Sequence, residues 1–229
     1  MQMLRLLPLA ALGLALVGGC STLSGARPLA RGEHEAGLTL GGPLLKLGGA
    51  VLPIPSANLQ GRSGLPALAG RPFDLDYGLG LTPLAFGIVQ GHVGAGWGLL
   101  EEKGALPALT PRLRLFWGVA LPGGEGDAEG INGLWGTFEL ALLASWSFGS
   151  KHLLVVGLSD YLDPAYPSLM LTPTIGGRLA LGERWALELD VRYFSINRRP
   201  DARTVVWFPG GTGALGAAIS ISMQLGGAS

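Results

Sequence analysis

Seven charged residues share a spacing that chemistry could use. Arg112, Arg114, Glu139, Arg178, Glu188, Asp190 and Arg192 all fall between apolar residues in segments that alternate apolar and non-apolar. On an extended chain that period of two gathers them on one face. Arg178 and the trio Glu188, Asp190 and Arg192 flank a tight turn at 182–184, and counting back from it sets Arg178 near Glu188. Four arginines facing three acids suit an interior ladder of ion pairs, since buried charges must be paired. The functional alternative is a narrow polar pore or an anion site. The structural ladder is the expected reading.

Other candidates fall away on inspection. Gly211-Thr-Gly213-Ala-Leu-Gly216 has the letters of a dinucleotide fingerprint. A period-two segment follows it, whereas phosphate binding needs a helix N-terminus there. The histidines His34, His92 and His152 stand in unrelated contexts, with no second histidine at a metal-binding spacing. Asp160, Tyr161 and Asp163 read as a solvated loop rather than a cation site. His152 and Ser159 are a conceivable base and nucleophile, but lie seven apart and so on opposite faces of a strand. No catalytic residue, cofactor or metal site is expected.

The elements that must carry the charged face are strands. Trp185-Ala-Leu-Glu-Leu-Asp-Val-Arg-Tyr193 would scatter charge around a helix but segregates it on a strand. Leu113, Leu115, Trp117, Val119 and Leu121 line one face opposite Arg112 and Arg114. Phe138, Leu140, Leu142, Ala144, Trp146 and Phe148 do the same opposite Glu139. The last segment sets Leu215, Ala217, Ile219, Ile221, Met223 and Leu225 against small and polar residues. A soluble sandwich also alternates, but it turns charged, lysine-rich faces to water. Here the non-apolar faces carry Gly, Ala, Ser and Thr.

The whole-chain arithmetic agrees. Of 229 residues only 14% are charged, the net charge is zero and Gly numbers 39. Mean hydropathy is +0.40. Zero net charge excludes a nucleic-acid binder that relies on bulk positive charge. No later stretch is long and apolar enough for a membrane helix, which takes about 20 residues.

The prediction is an all-β, antiparallel up-and-down membrane β-barrel of about ten strands, with eight or twelve as alternatives. The strands are placed at 33–41, 73–81, 84–91, 94–102, 111–121, 132–148, 152–162, 169–181, 185–195 and 213–226. Splitting 84–102 rests on parity. The tight turns at 81–84, 149–151 and 182–184 then fall on one side with both termini, and longer links lie opposite. Residues 42–72 read as a long loop, or as a source of an extra hairpin through Leu44 to Ile54. Trp146, Phe148 and Trp185 would form one aromatic girdle, and Tyr161, Tyr166, Trp207 and Phe208 the other.

The start of the chain is an address. A weakly positive start with Arg5, an apolar run Leu6–Val17, and Val17-Gly18-Gly19-Cys20 describe a secretory signal. The one cysteine stands at the cleavage point. This resembles the bacterial lipobox, which implies that the signal 1–19 is removed and Cys20 is lipidated. Ser21 implies sorting to the outer membrane. Residues 20–32 would be a lipidated tether and 33–229 the barrel domain. The mature chain resembles small outer-membrane barrels of Gram-negative bacteria.

The expected role is a non-enzymatic one in envelope structure or interaction, with outer-membrane lipid and an envelope protein met by the long loops as partners. The alternatives are a narrow solute channel, a lipid-anchored periplasmic β-sandwich and a lipid-modifying enzyme.

Overall fold

A computed structural model of the chain describes residues 25–47, 50–53, 56–122, 134–149, 151–162, 169–198 and 212–226. The chain runs β1 (His34–Leu47), β2 (Ala50–Pro53), β3 (Ser56–Leu68), β4 (Arg71–Gly80), one helical turn α1 (Leu81–Leu84), β5 (Ile88–Trp97) and β6 (Ala108–Ala120). It continues with β7 (Leu134–Phe148), β8 (His152–Leu162), β9 (Leu171–Ala180), β10 (Trp185–Phe194) and β11 (Ala214–Gly226). Each strand from β3 to β11 pairs antiparallel with the next, and β1 pairs with both β3 and β11. The sheet therefore closes into a barrel of ten strands, with Leu38 opposite Ile221 at the seam. Closure leaves no edge in the barrel wall. β2 stands outside the ring, paired with the Leu44–Leu47 end of β1 as a projecting hairpin.

Alternation decides which way each side chain points. On β6 the residues Arg112, Arg114 and Phe116 are buried, while Leu113 is 49% exposed. On β10, Ala186, Glu188, Asp190, Arg192 and Phe194 are buried, whereas Leu189 and Val191 are exposed. Leu140, Leu142, Leu154, Leu158, Ile175, Ile219 and Ile221 continue the outer surface. A water-soluble protein hides such residues; this one wraps an apolar band around its outside and fills its inside with polar groups. No helix among the described residues is long and apolar enough to cross a membrane.

The ends differ. At one end lie both ends of the barrel sheet and four connections: residues 69–70, 98–107, 149–151 and 181–184. Ala69 (φ 51°) and Gly70 (φ 74°) make the tightest of these, a two-residue turn with both φ values positive, as a type I′ hairpin requires. The opposite end carries the longer spans between β1 and β3, β6 and β7, β8 and β9, and β10 and β11.

Two errors in the strand assignment cancel. The segment 84–102 does not split: β5 is one strand over 88–97, preceded by α1. The turn at 81–84 consequently sits at the long-loop end, away from those at 149–151 and 182–184. The missing strand is β3, inside the segment expected to be a loop. Its outward face carries Ala57, Leu59, Gly61, Ser63 and Leu65, too weak an apolar row to stand out. The Tyr77 ring from β4 covers Gly61, where a Cβ would come within 2.5 Å of it. The Leu44–Ile54 hairpin alternative corresponds to the β1–β2 extension.

Two girdle aromatics, Phe148 and Trp185, lie exposed at the short-turn end. Tyr161 is instead inside the barrel, 3% exposed, because it shares parity with the inward Val155 and Ser159. Tyr166, Trp207, Phe208 and the whole lipobox lie outside the described residues.

Candidate functional site in the barrel lumen

The lumen is filled by ion pairs. Glu188 accepts a hydrogen bond from Arg178 Nη1 at 2.6 Å. Arg178 also donates to Glu35, which stands 3.6 Å from Arg62. Arg62 donates to Asp74 at 2.5 Å, and Asp74 also accepts from Arg112 at 3.3 Å. Arg112 Nη2 lies 3.2 Å from Asp76, which accepts from Arg114 Nε at 2.5 Å. Arg114 Nη1 then donates to Glu139 at 3.2 Å. These charges alternate in sign and link strands from β10 through the β11–β1 seam to β7. Arg192 and Asp190 pair separately along β10 at 2.9 Å.

Burial and alternation explain why the pairs must form. Six of the seven charges expected to face inward are at most 4% exposed; Arg178, nearest the mouth, has 21% of its side chain exposed. An unpaired charge at such depth costs several kcal/mol, so each guanidinium is held by a carboxylate. The arrangement also contains Glu35, Arg62, Asp74 and Asp76, which the sequence reasoning did not single out. Asp74 and Asp76 carried a usable signal: they flank Leu75 in a segment already read as a strand. Arg62 was lost with β3.

The wall makes room for these side chains. A Cβ at Gly94 would lie 2.5 Å from Arg114 Cγ, and one at Gly96 would lie 2.5 Å from Arg112 Nη1. Part of the glycine content is thus space for arginine. Toward the long-loop end the filling turns aromatic and apolar. His92 and Phe116 stand 5.5 Å apart and Phe116 and Tyr161 6.3 Å, and Ile88, Phe194 and Ala214 are also buried. His92 Nε2 is 4.0 Å from Asp76.

At the short-turn end a segment of the chain itself enters the mouth. Arg112 Nη1 donates to the Gly25 carbonyl at 2.9 Å and Thr110 to the Ala26 carbonyl at 2.9 Å. Arg62 donates to the Arg27 carbonyl at 2.5 Å, and the Leu29 amide donates to Asp74 at 3.2 Å. The Ala26 methyl packs with Leu143 and Val155. Arg27 pairs with Glu102 and donates to Ser145 at 3.2 Å. Glu102 also accepts from the Ser147 hydroxyl at 2.7 Å and the Ser147 amide at 2.9 Å. The Ser147 hydroxyl and Arg27 together hold the Glu102 carboxyl down, to about 2. Residues 25–29, within what the sequence presents as a tether, thus form a strap across the mouth. A cavity of about 600 Å³ borders it at Glu102, Thr110 and Ser147. A second, of about 280 Å³, borders it at Glu35, Arg62 and Arg178.

The remaining candidates are dispersed. His34, at the start of β1, bonds Ser63, and His152 on the outer surface stacks on Phe148. Ser159 is buried in the lumen, on the face opposite His152. No group of three or more potential metal ligands occurs among the described residues. Gly213 and Gly216 lead into and lie within strand β11, not at a helix N-terminus, and the Phe194 ring sits over Gly216. Asp160 accepts the Met170 amide at 2.7 Å, and Asp163 lies outside the described residues.

No protein-family model matches the sequence, and no curated protein matches it. Among solved structures the chain is similar to the translocator domain of autotransporter NalP from Neisseria meningitidis. The two are 10% identical, with a TM-score of 0.46 over 88% of this chain and 91% of that one.

Proposed function

We propose that this outer-membrane-type barrel is a non-enzymatic outer-membrane lipoprotein, lipidated at Cys20, with a role in envelope structure or interaction. The observation that carries the non-conducting part of this reading is the continuous run of ion pairs from Glu188 to Glu139. A solute path needs mobile water along the lumen, whereas here carboxylate and guanidinium groups fill it and bind one another. The apolar outer band favours a bilayer as the surrounding medium. In barrels of this kind the short turns face the periplasm, which sets the strap in the periplasmic mouth and the long loops outside. The chain from residue 20 to 25 can span at most about 17 Å, enough to run from the mouth toward the inner leaflet.

The test is expression in a Gram-negative host with labelled palmitate, followed by fractionation. The intact chain is expected in the outer membrane, labelled, and faster on SDS gels when unheated than when boiled. Cys20→Ala is expected to lose the label and remain membrane-bound. A soluble, folded Cys20→Ala monomer would overturn the barrel reading, and retained label would overturn the assignment of Cys20. In planar bilayers the purified protein is expected to show no unitary conductance; steady single-channel steps would favour the channel reading.

A further inference from the structure

We propose that the mouth at the short-turn end is a binding site for a short, bent peptide segment, and that residues 25–29 are its resident, displaceable ligand. The inference goes beyond the reading above and stands whether or not Cys20 carries lipid.

The seat reads main chain as a peptide receptor does. Three consecutive carbonyls, of Gly25, Ala26 and Arg27, are met by Arg112, Thr110 and Arg62. The next available amide, that of Leu29, is met by Asp74. Pro28 has no amide to satisfy, so its position costs no hydrogen bond. Main-chain bonds of this sort supply affinity without regard to sequence, and pockets for individual side chains supply selectivity.

The first three positions also carry a selective feature. A Cβ at Gly25 would lie 2.2 Å from Arg112 Nη1, so the first position takes glycine. The second takes a small apolar group against Leu143 and Val155. The third takes a cation, read by Glu102 from a loop and by Ser145 from β7. The ligand class is therefore a short, bent segment of the pattern small, small, basic, with proline accommodated at the fourth position. The cavities on either side leave space for the strap to move aside.

Two of the three donors and the acceptor are not dedicated to the strap. Arg62, Arg112 and Asp74 are held in place by the ion-pair run regardless of what occupies the mouth. An emptied seat would thus keep its shape, which a binding site requires and a mere packing contact does not.

The experiment uses the full-length chain in detergent micelles, with Cys20→Ala so that a single reporter thiol, Ala26→Cys, reports on the strap. Ala26 is 1% exposed, so slow maleimide labelling is expected with the strap seated. Glu102→Arg, at a loop position, repels Arg27 and is expected to speed labelling at least tenfold while the barrel keeps its heat-shifted mobility. A fluorescent peptide of sequence Gly-Ala-Glu-Pro-Leu, whose acid meets the new cation, is then expected to bind the Glu102→Arg protein. The same peptide with arginine in place of its glutamate is expected to bind at least tenfold more weakly. A tethered strap competes at an effective concentration in the millimolar range, so the protein with Glu102 intact is expected to bind free Gly-Ala-Arg-Pro-Leu only at about that concentration or above.

If Glu102→Arg speeds labelling and neither peptide binds, the seat serves only its own strap and the proposal is overturned. If labelling stays slow, hydrogen exchange of residues 25–33 in the unmodified chain decides. Exchange unaltered by millimolar peptide overturns the proposal, and exchange that rises with peptide supports it. Loss of lipidation or membrane sorting alters none of these readouts.

Discussion

Asp74 has no exposed surface and lies between two guanidiniums, those of Arg62 and Arg112. Asp74→Ala takes a partner from each of two buried arginines, which costs about 3–5 kcal/mol. The expected result is a marked fall in the temperature at which the SDS-resistant form is lost. Glu101 is the control: it pairs with Arg71, but its side chain is 77% exposed. Glu101→Ala should change that temperature little, because exposed pairs are worth about 0–1 kcal/mol. Equal effects from the two substitutions would contradict a structural role for the buried pairs.

Glu102 supplies a pH dependence outside the membrane band. Its carboxyl is held at about 2, against 4.5 for the free side chain, by Ser147 and Arg27. A depressed acid contributes stability above its free value, and that contribution is lost as pH falls through the folded one. The clasp between the 98–107 loop, the end of β7 and the strap should therefore loosen between about pH 4.5 and 2. Pepsin, active in that range, should cut the loop at Leu99 or Leu100 progressively faster as pH drops. In Glu102→Gln the extra acceleration should be absent.

At the scale of elements, the β3–β4 hairpin carries a local conflict. Ala69 has φ of 51°, a left-handed conformation that costs a residue with a Cβ roughly 1–2 kcal/mol. Asparagine tolerates that region better than alanine. Ala69→Asn should stabilise the hairpin by up to about 1 kcal/mol, read as a higher unfolding midpoint in urea. Gly70→Ala, at φ of 74°, should shift the midpoint the other way. The hairpin also matters to the site, since β3 brings Arg62 and β4 brings Asp74 and Asp76. Its register sets Arg62 opposite Asp76, with Asp74 one inward step away along β4.

At the scale of the molecule, the lumen behaves as the core. Ordinary proteins bury apolar groups and expose polar ones; here the outer surface faces a medium as apolar as itself, and cohesion falls to backbone pairing and the interior charges. Buried pairs are screened far less than exposed ones. Raising salt from about 0.1 M to 1 M, which cuts the Debye length from about 10 to 3 Å, should leave the heat-modification temperature almost unchanged. A lumen filled with mobile ions would give a steep dependence instead. The long loops and the strapped mouth are then the two faces left for partners.

Sequence alone determined the strand periodicity, the antiparallel class and the inward face of β6, β7 and β10. Those features are local: a period of two within one strand fixes which residues share a side, and a turn fixes the register of its neighbour, as with Arg178 and Glu188. It did not reveal β3, because an outward glycine reads as a gap until Tyr77 from the next strand covers it. Nor did it reveal the partners of the charged residues. Arg62 with Asp74, or Arg178 with Glu35, depends on which strands closure brings together, and Glu35 lies 143 residues from Arg178 in the chain. The strap was the least legible feature of all. Gly25-Ala-Arg-Pro-Leu29 looks like an ordinary linker, and only a closed barrel creates the mouth, lined by Arg62, Asp74, Thr110 and Arg112, that receives it.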